Sequence, residues 1–329
     1  MVLLPIVMHL WKGFIGLALG EQKKSVRQLI EERNHKKQKF DFEKIVPLLL
    51  LFTAIISVLT TIGIVFTLVF ETFEFFSRVS IMEFLTAEKW YPFASENPSY
   101  GITALITGTL KVTFIAALVA VPIGIATAVF LSEYASERTR KTVKPILEIL
   151  AGVPTIVYGF FALTFVTPLL RDIFPAIEMF NAISPGIVVG IMIIPMIASL
   201  SEDAMSSVPN TIREGAMALG STKFETTFKV ILPAAISGIM ASIVLALSRA
   251  IGETMIVSVA GGATPSLSWD VTSSIQTMTA YIVQVSTGDA GYGTTIYYSI
   301  YAVGTTLFLF TLLMSLLAQY ISRRFREVY

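Results

Sequence analysis

Apolar residues run through this 329-residue chain in six long stretches separated by polar segments. Each stretch is long enough to cross about 30 Å of hydrocarbon as a helix. They fall at about Ile45–Phe70, Leu105–Leu131, Val143–Thr167, Ser184–Leu200, Ala234–Val259 and Thr294–Ile321. The pattern predicts an all-α integral membrane protein with six transmembrane helices. The fourth stretch is short and holds Pro185 and Pro195, and the third holds Gly152 and Pro154, so both are expected to be kinked or interrupted. Such breaks persist where neighbouring helices or a wet cavity satisfy the freed backbone groups.

Between the fourth and fifth stretches lies a long polar loop, Ser201 to Ile239. Pro209, Asn210 and Thr211 precede a helical run over Ile212–Leu219, and Gly220 falls where a left-handed C-cap is wanted. Thr222 and Glu225 form a T-x-x-E capping box that restarts a helix leading into Pro233. The expected product is a helix, a sharp glycine turn and a second helix. Gly215, Ala216 and Ala218 leave it a slim face able to enter a groove on another protein; spacing alone fits a hairpin lying on the membrane equally well.

Composition strengthens the membrane reading and removes several functions. The chain is 54% hydrophobic and 14% charged, with a mean hydropathy of +0.74, far more apolar than a soluble domain of this length. A net charge of +1 without basic patches excludes a nucleic-acid binder. There is no cysteine, and His9 and His35 lack metal-ligand spacing, so neither thiolate chemistry nor a metal cofactor is expected. No phosphate-binding loop of the G-x-x-x-x-G-K-[ST] type occurs, so the chain cannot hydrolyse ATP by itself. No Ser/His, paired-Asp or metal constellation lies within the spans, which argues against an intramembrane enzyme.

Charge is sorted by side instead. Eight Lys and Arg lie in Lys23–Lys44, four in Arg138–Lys144, three in Arg213–Lys229 and three in the tail, against Arg78, Lys89 and Arg171 in the alternate loops. By the positive-inside rule both termini and the 201–233 loop are cytoplasmic. The opposite loops, Glu71–Tyr100 and Gly262–Gly293, are long enough to form short exposed elements for a partner. For the first, an interfacial loop anchored by Trp90 and Tyr91 is the plainer alternative. Met1–Gly20 admits three readings: an interfacial helix, an extra span or a start-site extension.

The loop carries a resemblance. Glu214, Gly215 and Ala216, then Gly220, then nine residues, then Val230-Ile231-Leu232-Pro233 resemble the E-A-A-x-x-x-G-x9-I-x-L-P loop of the membrane permeases of ABC importers, with Gly215 in place of the usual alanine. The resemblance implies that Glu214, Gly215, Ala216, Gly220, Leu232 and Pro233 couple the chain to an ATP-binding subunit. It also implies the type I importer permease fold for residues 45–329, with 1–44 as a cytoplasmic or interfacial extension.

"YGITALITGTLKVTFIAALVAVPIGIATAVFLSEYA", "KPILEILAGVPTIVYGFFAL", "SLSEDAMSSVP" and "SRAIGETMIV" resemble the phosphate-importer permeases, with Met255 and the "SEDAM" run pointing to the PstC type. What the family likeness implies is a heterodimer with a PstA-type permease, PstB-type ATPases, an extracytoplasmic phosphate-binding protein, inorganic phosphate as cargo and a prokaryotic inner membrane as setting. Sulfate, molybdate or tungstate is the nearest alternative cargo. A phosphate-status sensor is an alternative of another class, though a sensor has no use for an ATPase plug.

The fifth stretch raises the sharpest expectation. Gly238, Ser242, Ala246, Arg249, Gly252 and Glu253 fall on one helical stripe less than about 130° wide, and charge at this depth is a functional hypothesis by default. On a continuous helix Arg249 and Glu253, at i and i+4, are able to pair. Either the pair is structural glue, or Arg249 offers its donor fork to phosphate oxygens while Glu253 holds the fork and Thr254 adds a hydroxyl. Lys111 is expected to snorkel to the interface, and Glu148 to be satisfied by water or a partner cation without a part in transport.

Overall fold

The structure, a computed structural model, describes residues 42–288 and 290–324. The readings for Met1–Gly20 and the rest of the extension through residue 41 lie outside the described residues. Five described helices are long and apolar enough to cross a membrane: α1 (Phe42–Phe76, with its apolar part Ile45–Phe76), α3 (Thr103–Tyr134), α5 (Thr155–Ile173), α6 (Ile183–Ser206) and α12 (Thr295–Arg324, apolar to Ile321). A sixth passage is a broken one, α8 (Lys223–Ala234) and α9 (Ile236–Ile251), bent by 69°. Between them lie α2 (Ile81–Thr86), the strands β1 (Trp90–Tyr91) and β2 (Ser99–Tyr100), α4 (Glu137–Gly152), α7 (Asn210–Ala218), α10 (Met255–Ala260) and α11 (Met278–Thr287).

The chain divides within α1. From Phe42 to Val65 the described chain is one apolar helical stretch, and from Phe66 onward it belongs to the packed body.

In that body α3 and α6 approach closely because glycines of one helix receive β-branched side chains of the other. A Cβ at Gly190 would come within 2.9 Å of Val119, and one at Gly124 within 2.7 Å of Ile197, so only glycine permits this separation. Around the contact, Ala116, Ala120, Val189, Ile193, Ala246, Ala250 and Ile256 form the central core. A second core is aromatic and joins Phe75, Phe84, Trp90, Tyr100 and Tyr281. A third gathers Val129, Met205, Ile231 and Ile239 where α7 and α8 meet the ends of α3 and α6.

Several sequence expectations need correction. The third span is Thr155–Ile173, not Val143–Thr167: Val153 and Pro154 are extended, and the segment before them is α4, a helix with no buried residue. The residue before a proline is driven out of the α region, so the break at Gly152–Pro154 is complete rather than a kink. The fourth span, by contrast, runs uninterrupted from Ile183 to Ser206. Pro185 sits in its first turn, where no N–H is needed, and Pro195 is accommodated inside.

The fifth stretch is broken twice, at Ala235 and at Gly252. Trp90 is 1% exposed, in the aromatic core rather than at an interface, while Tyr91 remains exposed. Lys111 is also 1% exposed and does not snorkel; its Nζ donates to the Asp270 carbonyl at 3.2 Å. The 71–100 and 262–293 segments do carry short elements, α2, the β1–β2 ribbon and α11.

Of the three π-helical turns among the described residues, two, Ala162–Val166 and Thr227–Ile231, each end two residues before a proline, Pro168 and Pro233; the third is Phe130–Tyr134. A proline ring clashes with the carbonyl four residues back in regular winding, and a wider turn relieves it.

Candidate substrate path and coupling loop

The "RAIGET" run is a helix break, not a continuous helix. α9 closes at Gly252, whose N–H donates to the Ser248 carbonyl at 3.3 Å, and α10 begins three residues later. Across this break Arg249 and Glu253 do not pair, which corrects the expected i,i+4 ion pair: the spacing was right, but the helix needed to align it ends between the two residues. Glu253, 9% exposed, turns instead to α10, where Oε1 accepts from the backbone N–H groups of Met255 (3.0 Å) and Ile256 (3.2 Å). A carboxylate there satisfies donors that the first turn leaves open and suits the helix dipole. The Glu253 carbonyl accepts from the Thr279 hydroxyl at 2.8 Å, locking the break to α11. Thr254 donates its hydroxyl to the Gly252 carbonyl at 3.2 Å.

Arg249 is exposed, in the last turn of α9, and among the described residues its guanidinium has no hydrogen bond or ion pair. It lines a cavity of ≈ 420 Å³ between α4, α6 and α9, together with Lys144, Glu148, Met196, Ser199 and Leu245. Lys144 is already held by the buried carboxylate of Glu202 and, at 3.6 Å, by Asp203. Arg249 is therefore the lining cation free to receive an anion. Glu253 and Thr254 are not among the lining residues; they shape the break that presents Arg249.

Glu148 shares the cavity with Arg249 and has no ion pair or hydrogen bond among the described residues. The expected partner cation is therefore not found within the described chain.

The 201–239 loop folds as its local chemistry dictates. Gly220 has φ of +90°, its N–H donates to Met217 O at 3.0 Å and the Ser221 N–H to Ala216 O at 3.2 Å, a Schellman closure of α7. Thr222 and Glu225 complete the capping box, with Glu225 N–H to Thr222 Oγ1 at 3.2 Å and Thr222 N–H to Glu225 Oε2 at 3.1 Å. No residue of α7 is buried. Glu214, Gly215 and Gly220 are exposed, and Leu219 at the tip is 90% exposed. A methyl group at Gly215 would meet nothing within 4 Å, so the glycine in place of alanine is not demanded by packing within this chain. Leu232 is half-buried and Pro233 exposed at the start of the bend.

Arg213 fastens α7 to the body. Its guanidinium donates to the carbonyls of Met205 (2.7 Å) and Val208 (2.5 Å) and to Glu133 at 3.2 Å. An exposed helix carried by such a rivet projects from the protein without being loose.

A family model described as "Binding-protein-dependent transport system inner membrane component" matches residues 120–327. The chain belongs to that family. Among curated members, it is 37% identical over 246 residues to the probable ABC transporter permease protein YqgH of Bacillus subtilis, covering 75% of this chain and 79% of that one. It is 34% identical over 260 residues to the phosphate transport system permease protein PstC of Mesorhizobium japonicum (73% and 78% covered). With the probable PstC of Methanocaldococcus jannaschii, identity is 31% over 317 residues (88% and 96% covered). The fold is that of type I importer permeases. A chain of the bacterial ABC transporter involved in alginate import superposes with a TM-score of 0.61 at 20% identity, covering 90% of this chain and all of that one. A chain of the MetNI methionine transporter gives 0.53 at 20% identity (68% and 97% covered). As a member of this permease family, the chain is a multi-pass transporter subunit of the inner membrane and not an enzyme.

Proposed function

We propose that this chain is the permease subunit of an ATP-driven importer of inorganic phosphate, supplying half of the translocation path. The observation that carries the substrate class is Arg249: an unpaired guanidinium, at the end of a helix broken within the membrane, facing a cavity. A planar fork of donors suits tetrahedral oxyanions, and the end of an interrupted membrane helix is where transporters commonly place their cargo. The relatives' names narrow oxyanion to phosphate. The exposed α7–α8 hairpin, with Glu214, Gly215, Ala216 and Gly220 at its surface, docks into a PstB-type ATPase, and Leu232 and Pro233 pass its movement to α9. A PstA-type permease completes the path, a phosphate-binding protein delivers from outside, and both termini lie in the cytoplasm.

Uptake of labelled phosphate into proteoliposomes holding the complete importer, with ATP at the ATPase side and excess sulfate, molybdate or tungstate as competitor, tests the assignment. ATP-dependent uptake insensitive to the competitors is expected. Uptake of a competitor in preference to phosphate overturns the choice of cargo.

A further inference from the structure

Beneath the hairpin lies a second cavity, of ≈ 360 Å³, that shares no lining residue with the Arg249 cavity. Three cations from three elements line it, Arg140 of α4, Arg213 of α7 and Lys223 of α8, against one lining carboxylate, Glu133. Arg213 is matched by Glu133, and Arg140 by the buried Glu202 behind the wall. Lys223 has no carboxylate among the described residues; its Nζ stands over the Tyr134 ring, 5.1 Å from the centroid. Thr226, three residues on and 3% exposed, lines the same cavity with a buried hydroxyl that lacks any hydrogen-bond partner. Leaving such a group unsatisfied costs about 1–3 kcal/mol, and native proteins rarely do so. An ammonium and an orphan hydroxyl on one helix face, in a pocket with excess positive charge, call for a ligand that accepts hydrogen bonds and carries negative charge.

We propose that this cavity binds a phosphate-type oxyanion, received by Lys223 Nζ and Thr226 Oγ1, with Arg140 and Arg213 supplying field and remaining donors. The bound anion bridges α4, α7 and α8. It therefore stabilises the hairpin in the arrangement seen here over any in which these helices separate, as a ligand favours the state it binds. On the face proposed above as cytoplasmic, two sources offer this chemistry: free inorganic phosphate, the product of import, and the phosphate of a lipid headgroup. The site itself does not depend on the cargo assignment.

The cysteine-free chain allows a direct test. Ser132→Cys places one thiol on the cavity wall, and its rate of reaction with N-ethylmaleimide is followed in the assembled importer carrying Arg249→Gln, so that the path cannot contribute. In maltoside detergent, phosphate is compared with chloride at equal ionic strength. Protection follows 1 + [L]/Kd, so labelling slows about tenfold at ten times the dissociation constant. Protection is lost with Lys223→Met or Thr226→Val, while a thiol at Ser95→Cys is unaffected throughout. In phosphatidylglycerol nanodiscs without phosphate, labelling that is already slow and is released by the same two variants supports the site and names the lipid as its occupant. Equal rates in all conditions, or protection that survives both variants, overturns the proposal. Because phosphate uptake is measured separately, failure here is distinct from failure of the importer assignment.

Discussion

Arg249 sits among the last carbonyls of α9, whose partial negative charge favours a cation, and among the described residues no carboxylate lies within ion-pair distance of it, although Glu148 lines the same cavity. Its charge is thus not spent on an ion pair within the described chain, and in the proposed path it is left for the cargo. Lysine at this position keeps the charge but loses the bidentate fork, so Arg249→Lys is expected to assemble and to recover less than about a tenth of the uptake, a loss of roughly 1.4 kcal/mol or more. Glu253 has a different task from the one its spacing suggested. Glu253→Gln retains an oxygen for the Met255 and Ile256 N–H groups and is expected to keep both assembly and transport. Glu253→Ala removes it and should destabilise the break by about 0.5–2 kcal/mol, read as a lowered melting temperature of the purified complex. If Glu253→Gln proved as damaging as Glu253→Ala, the capping role would be wrong.

At the scale of elements, the α7–α8 hairpin shows what local chemistry dictates. Gly220→Val forces a branched side chain into φ of +90°, a region such residues avoid. It should leave the permease in the membrane but abolish substrate-stimulated ATP hydrolysis. Gly215→Ala meets no atom and gains up to about 1 kcal/mol of helix propensity, so stimulation should persist. The reverse pattern would remove the hairpin from the coupling pathway.

The hairpin was legible in the sequence because proline, glycine and the T-x-x-E box act over a few residues. So were the second and sixth spans, whose apolar runs are long and unbroken. The boundary of the third span was not, because Val143–Gly152 carries enough apolar residues to resemble membrane helix, and only the extended Val153–Pro154 pair separates it. The Arg249–Glu253 pairing failed for a related reason: a helical wheel presumes a helix, and Gly252 ends it. Lys111 and Trp90 were misplaced because their partners, Asp270 and Tyr281, lie far away in the chain. No periodicity announces such contacts.

At the scale of the whole molecule, the aromatic core with the β1–β2 ribbon and the core beneath α7–α8 involve alternate loops of the chain, and the charge asymmetry of those loops predicts that they face opposite sides of the membrane. Single thiols at the exposed positions Ser95 and Ser136 should therefore label from opposite faces with an impermeant maleimide. Labelling of both from one face would contradict the proposed topology. The central claim is that a free arginine, held beside a helix break, receives the anion as it crosses. The most direct measurement sets complex yield beside ATP-driven phosphate uptake for Arg249→Gln. Loss of a charged donor to a desolvated anion is worth about 2–5 kcal/mol, so yield should match the unmodified importer while uptake falls at least about thirtyfold. Uptake near the unmodified level, with the complex intact, would contradict the account.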